Sequence, residues 1–92
     1  MNNFEDSTLT FKEMVSKFNV TPRTLRYYEY LELLSPSLVG RERHYNRTQI
    51  ARFKLILRGR RFGMKLEDIR VWLQIYDNSG SEVQLREWLG IV

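Results

Sequence analysis

Ninety-two residues, 42% hydrophobic and 13% aromatic, suffice for one globular domain with a single modest core and are too few for two. The net charge of +4 is unevenly placed: residues 41–65 carry +8, against −1 for residues 1–20, 0 for 21–40 and −3 for 66–92. There is no cysteine and one histidine, His44, so disulfides, thiolate metal sites, thiol redox chemistry and multi-histidine metal sites are all excluded.

Enzymatic chemistry has little to stand on, because the chain holds no paired-carboxylate cluster and no phosphate-cradling glycine loop; no cofactor is implied. No apolar run approaches the roughly 18–20 residues of a membrane span, and the first residues lack a signal-peptide core, so the expected location is the cytoplasm. Glu42 is the only acid in the basic block. A solvated surface would interleave its charges; a block of one sign is the footprint expected for a nucleic-acid partner.

Residues 1–8 are polar and read as a flexible N-terminus. Thr10 then precedes Phe11, Met14, Val15 and Phe18, the i, i+3, i+4, i+7 stripe of a two-turn amphipathic helix, and Thr10 with Glu13 matches a capping box. Asn19-Val20 makes a tight connection. Thr21 as a cap and Pro22 at the first helical position open a second helix that runs to about Leu31. At about 100° per residue, Arg23, Arg26, Tyr27 and Tyr30 share one face, while Leu25 and Tyr28 point the other way. Two short helices joined by so short a turn make a helix-turn-helix, with the second helix as the DNA-reading one.

Leu33-Leu34 should return to the core, and Ser35-Pro36 forbids further helix. Residues 37–45 read as a short β-hairpin turning near Gly40, its second half basic and ending in Tyr45 as an inward anchor. Asn46, with Gln49 three residues later, caps a long helix over Arg47–Phe62. Ile50, Phe53, Leu55, Ile56 and Leu57 give that helix an apolar surface wider than one face, and Gly63 closes it.

A fourth helix is expected over Leu66–Tyr76, with Leu66, Ile69, Leu73 and Tyr76 inward. Asp77-Asn78-Ser79-Gly80 reads as a linker. Ser81 with Gln84 then starts a short C-terminal helix over residues 81–92, carrying Leu85, Trp88, Leu89 and Val92. Those four residues either fold back onto the fourth helix or meet a second protomer, and the second is favoured.

The run Val20-Thr21-Pro22-Arg23-Thr24-Leu25-Arg26-Tyr27-Tyr28-Glu29 resembles the MerR family of bacterial transcription regulators. The likeness continues through Leu33-Leu34-Ser35-Pro36, Arg43 and Tyr45, then Arg61-Phe62-Gly63-Met64 and Leu66-Glu67-Asp68-Ile69, covering about residues 9–76. Lys54–Gly63 and Tyr76-Asp77 look most like the subgroup controlling leucine and branched-chain amino-acid degradation. The resemblance implies a mainly α fold, a MerR-like winged helix-turn-helix with a β-hairpin wing. It also implies a homodimer on an inverted-repeat promoter that distorts the DNA, with RNA polymerase as a further partner. A helix over residues 81–92, at about 18 Å, is short for the family's dimerisation helix. The chain is then either a piece of a longer protein or a small regulator that dimerises weakly. The competing reading is a phage-type excisionase, a DNA-bending architectural protein without a sensor.

Thr10, Thr21, Arg23, Thr24, Arg26, Tyr27, Arg41, Arg43, His44 and Lys65 are the candidates for contact with double-stranded DNA. Arg23, at the start of the second helix, either pairs with guanine O6 and N7 or grips a phosphate. Arg26 and Tyr27 suit phosphate or sugar, and the Thr21 and Thr24 hydroxyls suit phosphate at a helix N-terminus. In the hairpin, the resemblance favours Arg43, ahead of Tyr45; His44 is either a contact or a neutral surface residue. Lys65 stands where related sequences place a capping serine or threonine. A lysine there cannot cap and opposes the helix dipole by about 0.3–1 kcal/mol, which suits a side chain close to a DNA phosphate.

Overall fold

The computed structural model describes residues 8–79. Their elements run β1 (Leu9–Thr10), α1 (Phe11–Phe18), α2 (Pro22–Tyr30), β2 (Ser37–Val39), β3 (Glu42–Tyr45), α3 (Arg47–Arg61) and α4 (Leu66–Ser79). The architecture is mainly helical with a small antiparallel sheet, in the order of a winged helix-turn-helix. The described residues fall into two compact units that divide between Phe53 and Lys54, with α3 contributing to both.

In the first unit, α1 starts as its sequence dictates. The Thr10 hydroxyl accepts from the Glu13 N–H at 3.2 Å, and the Thr10 N–H donates to Glu13 Oε1 at 2.9 Å, a complete capping box. α2 opens on Thr21, whose hydroxyl accepts from the Thr24 N–H at 3.0 Å, with Pro22 in the first turn. The hairpin stands where expected, with β2 and β3 in the register Ser37↔His44, Leu38↔Arg43 and Val39↔Glu42. A third strand was not expected. β1 pairs on the other side of β3, Leu9↔Tyr45 and Thr10↔His44, and two residues are too few to show an alternation in sequence.

Among the described residues of this unit, Met14, Leu25, Tyr28, Leu33, Leu34, Tyr45 and Phe53 are the buried apolar ones. The Phe53 ring meets Phe18 edge-on with centroids 5.0 Å apart and Tyr28 at 6.2 Å, arrangements worth about 0.5–1.5 kcal/mol each beyond area burial. Asn46 caps α3 through its Oδ1, 2.9 Å from the Gln49 N–H. Gln49 does not reach back to complete a box: its Oε1 accepts from the Ser35 N–H at 2.6 Å, fixing the loop before the wing. Arg52 Nε donates to the Leu33 carbonyl at 3.1 Å and holds the same loop.

Within the second unit, Leu55, Ile56, Ile69, Leu73 and Tyr76 are buried. Gly59 lets α3 and α4 approach closely there: a Cβ at that position would stand 2.8 Å from Ile69 Cγ1 and 2.9 Å from Cδ1. Gly63, at φ 81°, ends α3 in a paired closure, Met64 N–H to Gly59 O at 2.9 Å and Gly63 N–H to Arg60 O at 3.0 Å. α4 runs on to Ser79, so Asp77–Ser79 are helical rather than a break. Asp, Asn and Ser are weak helix formers but none is a breaker, and a helix under way tolerates them.

Candidate nucleic-acid interface

α2 separates its residues by face. Leu25 is fully buried and Tyr28 nearly so, while Arg23, Arg26, Tyr27 and Tyr30 are exposed, Tyr30 to 81%. An open groove runs along the helix between Arg23, Thr24, Arg26, Tyr27, Tyr28 and Tyr30. The helix therefore presents two cations and two phenols to solvent on a backbone whose other side is locked in the core. Such a face offers donors for phosphate and for base edges, and rings for sugar.

The two threonines at the start of α2 have unequal roles. Thr21 spends its proton on Thr24 Oγ1, at 2.9 Å, while accepting from the Thr24 N–H. That leaves the Thr24 hydroxyl proton as the donor of the pair that no described residue takes. Thr10 likewise serves as the cap of α1.

Glu29 is the residue that ties this helix to the wing, and the sequence reading did not single it out. Its side chain is only 14% exposed; Oε1 accepts from Arg43 Nε at 2.8 Å, and Oε2 accepts from the Tyr45 hydroxyl. Arg43 and Tyr45 are two apart on β3, so the strand turns both to the same side, where α2 offers one carboxylate to serve them. Burial pushes the Tyr45 hydroxyl well above its ordinary value of 10.0, helped by the hydrogen bond to Glu29 and by the Glu29 charge; Arg43 opposes. The signal available in sequence was an acid closing an otherwise cationic and aromatic helix.

The remaining candidates are spread along the wing and beyond. Arg41 is exposed beside the Gly40 turn. His44 is half-buried, its Nε2 3.1 Å from Glu42 Oε1. The wing also exposes Leu38 and Val39 on β2. Lys65 belongs to the second unit: it is exposed, and its carbonyl accepts from the Asp68 and Ile69 N–H groups in the first turn of α4, at 3.0 and 3.1 Å. Leu85, Trp88, Leu89 and Val92 lie outside the described residues. Among the described residues no group of three or more His, Asp or Glu is placed to hold a metal ion, and no helix is long and apolar enough to cross a membrane.

A helix-turn-helix with a braced hairpin beside its second helix is the class that these elements define. The chain belongs to the MerR HTH family of regulatory proteins, which it matches over residues 9–75. It is also similar to an uncharacterised HTH-type transcriptional regulator of Pseudomonas aeruginosa, 34% identical over 70 residues. That match takes in 72% of this chain and 52% of the relative, so the chain spans about half the relative's length. Neither match supports the narrower likeness to regulators of leucine and branched-chain degradation. No solved structure matches the chain.

Proposed function

We propose that the chain binds double-stranded DNA in a sequence-specific way as a bacterial transcription regulator. The observation that carries this reading is the division of α2, with Arg23, Arg26, Tyr27 and Tyr30 outward, Leu25 and Tyr28 inward, and Glu29 bracing the helix to the wing. Arg23 leads the helix and is the residue for base reading, where a bidentate pair with guanine discriminates by about 1–3 kcal/mol. Arg26, Tyr27, Thr24 and Arg41 hold phosphate and sugar, and Lys65 adds a phosphate contact. The wing's Arg43 contributes through the part of its guanidinium that Glu29 does not use.

Family membership supports the finer picture of a homodimer on an inverted repeat in the cytoplasm, distorting a promoter that RNA polymerase then reads. The pattern Leu85, Trp88, Leu89 and Val92 supports dimerisation. α3 at 15 residues and α4 at 14 favour a regulator over a minimal excisionase, which lacks such helices.

Selection of bound duplexes from a random pool tests the reading. An inverted repeat with promoter-length spacing is the expected product, and Arg23→Ala should relax the preference at one position of each half-site. Irregular direct repeats would favour the excisionase, and no enrichment would overturn both.

A further inference from the structure

Phe11 opens the apolar stripe of α1, yet it is only half-buried and is not among the core residues. Its ring is instead the meeting point of two arginines from different elements. The guanidinium carbon of Arg26, on α2, lies 5.6 Å from the ring centroid, and that of Arg43, on β3, lies 5.6 Å from it as well. Both are within the roughly 6 Å at which a cation is attracted to an aromatic face.

The backbone puts the ring there. β1 pairs with β3 through Leu9↔Tyr45 and Thr10↔His44, so the next residue of each chain direction is Phe11 on one side and Arg43 on the other. α1 then begins at Phe11, which turns its ring toward α2, where Arg26 stands on the outward face.

We propose that Phe11 is a positioning residue for DNA binding: its ring holds Arg26 and Arg43 together as a preformed pair for phosphate. A free arginine has rotamer entropy that a phosphate contact must overcome, and a guanidinium already resting on a ring loses less on binding. Arg43 is doubly restrained, since its Nε also donates to Glu29, while 40% of its side chain stays exposed and its Nη groups remain donors for phosphate. Glu29 offsets one of the two charges, so the cluster keeps a net positive charge for the backbone. The proposal rests on the DNA-binding reading and deepens it.

The test is a salt titration of a mixed-sequence duplex with the full chain, its Phe11→Leu variant and its Phe11→Tyr variant. Leucine preserves the apolar stripe and removes the ring face; tyrosine restores the ring. Phe11→Leu should bind about tenfold more weakly at fixed salt, with the log–log slope shallower by about 1–2, each phosphate contact contributing about 0.9. Phe11→Tyr should return to the parent values. A steep parent slope with an unchanged Phe11→Leu overturns the proposal alone; a flat parent slope overturns the DNA-binding reading with it.

A measurement on the unmutated protein keeps the test independent of folding in the variants. The side-chain Nε–H resonances of Arg26 and Arg43 should be displaced by the Phe11 ring current. Finding both at the positions of solvated arginine would overturn the proposal.

Discussion

Glu29 shows how much one side chain decides. A carboxylate on α2 takes a guanidinium and a phenol from the wing strand; the phenol is fully buried, the carboxylate 14% exposed and the guanidinium side chain 40% exposed. Removing it leaves a buried hydroxyl and a half-buried cation without their acceptor, a loss of about 1–3 kcal/mol by the usual cost of an orphaned polar group. Glu29→Ala should therefore lower stability by about 2 kcal/mol in denaturant unfolding, and Tyr45→Phe, which removes only the donor, by about 1 kcal/mol.

The same contact fixes a pH dependence. The Tyr45 hydroxyl is raised in the folded state above its ordinary value of 10.0, so its contribution is fully present below pH about 10 and is lost as pH rises toward the folded value. Alkaline titration followed by tyrosinate absorbance should show Tyr45, one of five tyrosines, ionising only as the protein unfolds. A chain whose five tyrosines all ionise while it stays folded would contradict this.

At the scale of the elements, three helices end in the same way. α1 closes on Asn19 at φ 54°, α2 on Glu32 at φ 63° and α3 on Gly63 at φ 81°, each in the left-handed region. In each case the following N–H reaches back five residues: Val20 to Val15 O at 3.2 Å, Leu33 to Tyr28 O at 3.0 Å and Met64 to Gly59 O at 2.9 Å. Asparagine and glycine suit that conformation; glutamate does not, because its Cβ crowds the carbonyl. Glu32→Gly should raise stability by about 0.5–1 kcal/mol, read as a higher denaturant midpoint at unchanged slope. Glu32 is thus a locally unfavourable residue held in place by Leu33 and Leu34, which are buried immediately after it.

Gly59 sits at the opposite balance. In a helix interior glycine costs about 1 kcal/mol against alanine, and that cost is accepted because Ile69 occupies the space where a Cβ would go. Gly59→Ala gains that propensity and meets an overpacking cost of about 1–3 kcal/mol, so it should lower stability by about 1 kcal/mol net. Combined with Ile69→Ala, which vacates the site, the loss should be less than additive in a double-mutant cycle.

For the molecule as a whole, the uneven charge is the governing quantity. A surplus of +8 within residues 41–65 cannot all face DNA, since Arg52 holds the Leu33 carbonyl and Arg60 holds the Met64 carbonyl at 2.7 Å. If about six cations of the chain contact phosphate, log affinity against log salt should fall with a slope near −5 per chain, about 0.9 for each contact. A slope close to zero would contradict DNA binding altogether.

Helix starts, the hairpin and the two faces of α2 were legible in the residues, because caps, proline and apolar spacing are local signals carried within a few positions. Thr10 with Glu13, Thr21 with Pro22, and Asn46 each acted where their chemistry said they would. What the chain order could not show was which distant groups would meet. Glu29 meeting Arg43 and Tyr45, 14 and 16 residues away, depends on how strand and helix stack. Gln49 serving Ser35 and Phe11 serving two arginines depend on it equally. A side chain's local pattern states what it can bond to; only the packed backbone decides which partner comes within reach, since hydrogen bonds and ring contacts lapse beyond a few ångströms. The sequence by itself determined a helix-turn-helix with a basic wing, and the tertiary structure decided how that wing is held against α2.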